Sequence, residues 1–398
     1  MYEFYPYFTN DGSVGLYSPD VDDIYHSTYG ALSEAYEKFI MPADLENYFR
    51  KNNEIKILDI CFGIGYNTKS FINNFIKNIY NETIDTNNII YSDKIHTNNA
   101  KYKISIHAID LDKNLALMSP FFITDKKLLL NQIDFNNEGI NKLLSKRTTP
   151  TYKYEKETNI IFLHMLKNYL NDDILSILLS KKYSKYFCKG IIDYYRFLCL
   201  DRYKLTPLSS ISTFLHNIYY RYVSKCHKRA LNCLKNVDFI FKLSIEDARQ
   251  AIQNDNNIYN YIFLDAFTPT KCPCLWSVDF FKLLYKHLDD NGMILTYSNS
   301  ALVRNAFLNA GFFIGKNIIN GKSQGTIATK NKSLIKNELS EFDLGLIKTK
   351  AGIFYRDQYL NASNFDIEAS RKLDVKNSLL ISASKYLKEN KEKLYAKL

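Results

Sequence analysis

The stretch Glu54-Ile-Lys-Ile-Leu-Asp-Ile-Cys-Phe-Gly-Ile-Gly65 constrains the fold more than any other part of this 398-residue chain. Residues 54–60, dominated by Ile and Leu, predict a strand. A turn with two glycines follows. Phe71, Ile72, Phe75 and Ile76 then recur at helical spacing and predict a helix over 68–77. Glycines in such a turn let the backbone pass close to a ligand and take up positive φ. A polar stretch, 79–103, reads as a loop, and residues 104–109 predict a second strand ending at Asp110.

The same rhythm resumes at Val237. Strands are expected at 237–243, 259–264, 292–298, 312–318 and 325–329, with helices from 245, over 277–288 and over 300–309. Strands alternating with helices imply an α/β fold with a mostly parallel sheet covered on both faces. Ligands of such sheets bind at the carboxyl ends of the strands, where the turn at Gly63 and the loop at Asp265 both fall. The catalytic unit is thus expected to comprise 1–124 and 236–330. A helical insertion spans 125–235, and 331–398 form a C-terminal extension.

Composition sets outer limits. Hydrophobic content of 46% and charged content of 24% are those of a globular chain. No run approaches the roughly 20 apolar residues of a membrane span, and Met1-Tyr-Glu-Phe has no basic region leading into an apolar one, so a cytoplasmic protein is expected. The seven cysteines are scattered and read as reduced thiols. Cys272-Pro-Cys274 lacks a second ligand pair at zinc spacing, and no metal is expected.

The glycine turn discriminates between cofactors. A dinucleotide fingerprint, G-x-G-x-x-G, requires glycine at position 68, which is Thr68. Four carboxylates instead fall at corresponding strand ends: Asp59, Asp110, Asp247 and Asp265. Ligand binding is a more economical account of that repetition than four independent helix caps.

Three blocks together resemble the MnmC-type tRNA methyltransferases. They are Thr9-Asn-Asp-Gly-Ser13 through Tyr25-His-Ser27, Gly30-Ala31 and Glu34; Ile57-Leu-Asp-Ile-Cys-Phe-Gly-Ile-Gly-Tyr-Asn67; and Phe263-Leu-Asp-Ala-Phe-Thr-Pro-Thr-Lys-Cys-Pro-Cys-Leu-Trp276. Gly321-Lys-x-x-Gly325-Thr-Ile-Ala is similar to the family's closing hairpin. The resemblance implies a class I S-adenosylmethionine methyltransferase, Rossmann-like, with a mostly parallel seven-stranded sheet. It implies Asp59, Phe62, Gly63, Gly65 and Asn67 around the amino-acid part of the cofactor, Asp110 on the ribose and Asp247 on the adenine amino group. It makes Asp265 the catalytic residue. Tyr25, His26, Glu34, Phe267, Pro269 and Lys271 become the substrate residues, and Trp276 a packing anchor. Two departures stand out. Cys61 occupies a position where the family usually has glycine, and the 125–235 insertion is longer than the family's. No FAD-dependent half is present, so methyl transfer alone is expected.

The implied reaction methylates the amine of 5-aminomethyl-2-thiouridine at tRNA position 34. The nucleophile is the neutral amine, so a proton acceptor is needed, and Asp265 is the candidate. The net charge of +10 is concentrated: residues 176–236 hold twelve Lys and Arg against Asp193 and Asp201. Tyr183, Tyr186, Tyr194, Tyr195, Tyr219, Tyr220 and Tyr222 are interleaved with them. Cations for phosphates and aromatic faces for unstacked bases suit an anticodon loop. The competing readings are a methyltransferase acting on another RNA nucleoside or a small amine, and a nonenzymatic RNA-binding protein on the same fold.

Overall fold

The computed structural model describes residues 3–80, 102–124, 152–203 and 228–390. Three short strands open the chain: β1 (Tyr5–Phe8), β2 (Val14–Ser18) and β3 (Asp23–Ile24), paired antiparallel in that order. Seven more build the central sheet: β4 (Glu54–Ile60), β5 (Tyr102–Asp110), β6 (Val237–Ile245), β7 (Tyr259–Leu264), β8 (Leu288–Thr296), β9 (Phe313–Ile319) and β10 (Lys322–Thr329). Their spatial order is β6-β5-β4-β7-β8-β10-β9. The first five run parallel, and β10 lies antiparallel between β8 and β9. This is the mostly parallel, seven-stranded α/β sheet that the sequence implied.

The central strands are apolar on both faces because both are covered. Side chains alternate across a strand. Ile55, Ile57, Ile104, Ile106 and Phe263 therefore enter one core, while Leu58, Ile60, Ile109, Ile262 and Leu264 enter the other. The first core also holds the helix Tyr66–Phe75, through Phe71 and Phe75. The second holds the helices Ala248–Gln253, Val278–His287 and Ala301–Asn309.

The two additions are built into these cores. Insertion helices Lys156–Leu166, Asp172–Leu178 and Lys189–Tyr203 contribute Phe162, Ile174 and Tyr195 to the first. Tyr355 and Ile367 of the extension are buried in the second. The insertion also meets the chain start, where Phe4 stacks on Tyr183 at 4.1 Å and Phe8 lies 4.9 Å from Tyr186.

Chain order places the site. From β4 the strands proceed to β5 and β6 on one side, and from β7 to β8 on the other. The reversal falls between β4 and β7, where the register pairs Ile60 with Leu264. Ile60 also pairs with Ile109, and Asp110 with Ile245. Register alone thus brings the residues after four strands to one edge.

Candidate active site

At that edge lies an open cavity of about 750 Å³. Asp110, Asp247 and Asp265, each at or just past a strand end, line it. So do Tyr25 and Phe267, whose rings meet edge to face at 4.9 Å.

Asp265 follows β7. Its N–H donates to the Ile60 carbonyl at 3.3 Å, and its Oδ2 accepts from Asn67 Nδ2 at 2.9 Å. Burial, partly offset by that hydrogen bond, lifts the carboxyl to about 7. The loop after it is held by side chains donating to its backbone. Tyr297 Oη bonds the Ala266 carbonyl at 2.9 Å, and Trp276 Nε1 bonds that of Phe267 at 2.8 Å. Trp276 is fully buried, so it anchors the loop as expected.

Asp110 ends β5. Its Oδ2 accepts from the Gly63 N–H at 2.6 Å, and its Oδ1 from that of Asp112 at 2.8 Å. Burial lifts its carboxyl to about 6 against those two bonds. Asp247 caps the helix Ala248–Gln253 and receives the Arg249 guanidinium at 2.7 Å. Arg249 also bonds Asp357 Oδ2 at 2.7 Å and the Ala362 carbonyl at 2.9 Å, which ties the extension to this edge.

The glycine turn contributes differently from expectation. Asp59, Phe62, Gly63, Gly65 and Asn67 are not among the residues that line the cavity. Asp59 is fully buried and accepts from Thr68 Oγ1 at 2.6 Å, with Oδ1 unpartnered among the described residues. Burial pushes its carboxyl up to about 8. The Phe62 side chain points into the first core, against Phe162 and Phe241, because a strand-end aromatic facing a helix-covered layer buries its ring there. Cys61 is the turn residue that reaches the cavity. Its φ of 62° is left-handed, which explains why glycine suits this position.

The substrate residues divide in the same way. Tyr25 and Phe267 line the cavity. His26 packs edge-on to Tyr66 at 5.2 Å, and burial drops its imidazole to about 4, so it stands neutral. Glu34 is buried, bonded by both donors of Ser27 and by Lys38 Nζ at 2.5 Å. Lys38 Nζ in turn sits 5.5 Å from the Tyr297 ring. Pro269 lies on the partly exposed loop, and Lys271 faces Asp22 at 3.9 Å. Cavity-lining residues that sequence reasoning missed are Asp20, Asp112, Glu246, Arg249 and the extension's Ala362–Asn364. Glu246 and Arg249 flank Asp247 and were findable there. Nothing local marks 362–364.

Residues 207–331 match the family described as S-adenosyl-L-methionine-dependent methyltransferase. The solved structure of MnmC2 from Aquifex aeolicus superimposes with a TM-score of 0.54 at 19% identity, covering 95% of this chain and 87% of that one. Residues 207–331 thus form a region of the S-adenosyl-L-methionine-dependent methyltransferase family.

Among curated proteins, the methyltransferase is similar to an uncharacterized protein of Methanocaldococcus jannaschii. They are 35% identical over 152 residues, 36% of this chain and 42% of that protein. It also resembles the tRNA 5-methylaminomethyl-2-thiouridine biosynthesis bifunctional proteins MnmC. The Campylobacter fetus protein is 41% identical over 54 residues, and that of Burkholderia vietnamiensis 33% over 73. Those matches cover 14% and 18% of this chain, and 9% and 11% of the relatives. The matched region thus spans less than half the length of each of these relatives.

The cavity fits the cofactor. S-adenosylmethionine carries a sulfonium and an ammonium against one carboxylate. Asp20, Asp110, Asp112, Glu246, Asp247 and Asp265 line the cavity, against Lys113 and Arg249. Arg249 is already shared between two carboxylates. An acid-rich wall favours a cation. Asp110 retains lone pairs beyond its two backbone bonds and is suited to accept from ribose hydroxyls.

Among the described residues no helix is long and apolar enough to cross a membrane, and no His, Cys, Asp and Glu cluster is disposed to hold a metal ion.

Proposed function

We propose that this methyltransferase N-methylates 5-aminomethyl-2-thiouridine at tRNA position 34, giving 5-methylaminomethyl-2-thiouridine. The observation that carries this reading is Asp265: a half-buried carboxyl in the cavity wall, lifted to about 7, beside the paired rings of Tyr25 and Phe267. S-adenosylmethionine supplies the methyl group. The chain's residues must deliver a neutral amine. An alkylamine resembles Lys in holding its proton at neutral pH. A carboxylate that titrates near neutrality accepts that proton far more readily than an ordinary aspartate. Tyr25 and Phe267 suit a planar base, one ring by stacking and the other by edge contact.

The tRNA itself is assigned to the basic insertion. Lys181, Lys185, Lys189, Lys228 and Lys235 are exposed there, as phosphate ligands must be. The aromatic part of that expectation is corrected. Tyr183, Tyr186, Tyr194 and Tyr195 are buried in the first core, so they pack the insertion and offer no face to a base. An amphipathic helix packed against a protein core buries its aromatic side, whatever charges stand opposite. Tyr219, Tyr220 and Tyr222 lie outside the described residues.

The test is label transfer from methyl-labelled S-adenosylmethionine to tRNA carrying 5-aminomethyl-2-thiouridine, with nucleoside analysis. Label is expected in 5-methylaminomethyl-2-thiouridine, and Asp265→Asn should reduce the rate by about 100-fold or more. Cofactor binding without label in that nucleoside would assign the enzyme another acceptor.

A further inference from the structure

Asn67 is the second residue of the helix Tyr66–Phe75, just beyond the glycine turn, and is only 5% exposed. Three left-handed residues, Cys61, Gly63 and Gly65, wind the turn so tightly that this helix starts beside the end of β7. There Asn67 Nδ2 donates to Asp265 Oδ2 across 198 positions of sequence. An ionised carboxylate has no hydrogen to give, so the amide must present its N–H side. Asp265 Oδ1 takes no hydrogen bond from the described residues, and Asp265 lines the cavity. Asn67 Oδ1 is likewise unpartnered.

We propose that Asn67 is a positioning residue for Asp265: its amide N–H group pins one carboxylate oxygen and leaves the other for the proton of the acceptor amine. This rests on the reading of Asp265 as proton acceptor. The amide does two things. It selects one rotamer of the Asp265 side chain, and it favours the charged form of the carboxyl. The second effect works against burial and the Glu34 charge, both of which drive the group upward. Asn67 thereby keeps Asp265 ionised at the start of the reaction. Protonation at Oδ1 leaves the Asn67–Oδ2 bond in place, so the device survives the step it serves.

The experiment compares wild type, Asn67→Leu, Asn67→Ala and Asn67→Gln in the full-length protein. Leu keeps the volume without the donor, Ala removes both, and Gln restores a donor on a longer stem. Carboxyl-¹³C aspartate labelling, with Asp265→Asn to assign the signal, reads the Asp265 titration directly. The midpoint is expected to rise by about one pH unit in Asn67→Leu and Asn67→Ala, and to return part-way in Asn67→Gln. The acid limb of kcat/KM should move by the same amount, with kcat lowered about tenfold below it and cofactor Kd within about twofold. An unmoved Asp265 midpoint in Asn67→Leu overturns the proposal. So does a rise in cofactor Kd with the titration unchanged, which would make Asn67 a cofactor ligand. A moved midpoint with an unmoved rate profile upholds the positioning and instead removes Asp265 from catalysis.

Discussion

Replacing Gly65 and Gly63 by alanine, one at a time, separates two reasons for glycine in the same turn. Both residues are left-handed, with φ of 71° and 54°. Holding alanine there costs roughly 1–2 kcal/mol, and the stiffer unfolded chain returns about half of that. Gly63→Ala should therefore destabilise by about 1 kcal/mol. A Cβ on Gly63 would meet nothing closer than Tyr25 Cδ1 at 3.4 Å, an ordinary contact. A Cβ on Gly65 would meet Phe62 Cζ at 2.6 Å and Phe162 Cζ at 3.2 Å. Phe62 is 4% exposed and Phe162 fully buried, so neither ring has free volume to enter. Overpacking of that kind adds about 1–3 kcal/mol, for a total near 3 kcal/mol. Urea unfolding followed by fluorescence measures both losses, provided that the transition slopes agree. Equal losses for the two variants, within about 0.5 kcal/mol, would refute the steric argument. They would mean that backbone conformation alone selects glycine at position 65.

Two further outcomes follow from buried charge. Asp59→Asn should stabilise the protein at pH 8, because burial raises the folded carboxyl to about 8 while the unfolded one titrates near 4. A raised carboxyl contributes stability that is complete below the unfolded value and lost as pH rises to 8. The variant should therefore abolish a decline in stability between pH 4 and 8; a parallel decline in both proteins would show that Asp59 is paired or hydrated. Asp357→Asn should lower stability by about 1–2 kcal/mol, since it replaces one of two carboxylates on a buried guanidinium by a neutral acceptor, and should weaken cofactor binding through the loosened Asp247. Unchanged cofactor affinity, measured by calorimetry, would uncouple the extension from the cavity.

Much of this architecture was legible because it is written in local periodicity. Apolar runs with an aspartate at or near their ends marked β4, β5, β6 and β7, and the register of parallel pairing did the rest. The N-terminal strands were not read, because β1 to β3 are short and none of them alternates cleanly. Within the site, a strand-end carboxylate was recognisable, but its direction was not. Asp110 and Asp265 reach the cavity, while Asp59, which pairs with Ala108 and Phe263 two residues further back, is sealed under the helix by Thr68. Tyrosines among lysines looked like a nucleic-acid surface. They proved to be the packed side of helices whose other side carries the charge. Nothing in one dimension shows that Asn67 meets a residue 198 positions away.

The extension's Ala362, Ser363 and Asn364 form part of the cavity wall. A chain cut after residue 330 would retain every strand of the sheet and every motif by which the family is recognised. It would nonetheless present the cofactor with a trough open on one side and with Arg249 freed from Asp357. Domain limits drawn where strands end would thus remove a wall of the cavity together with Tyr355 and Ile367 of the second core. The last wall of this enzyme is supplied by a segment that looks like a tail.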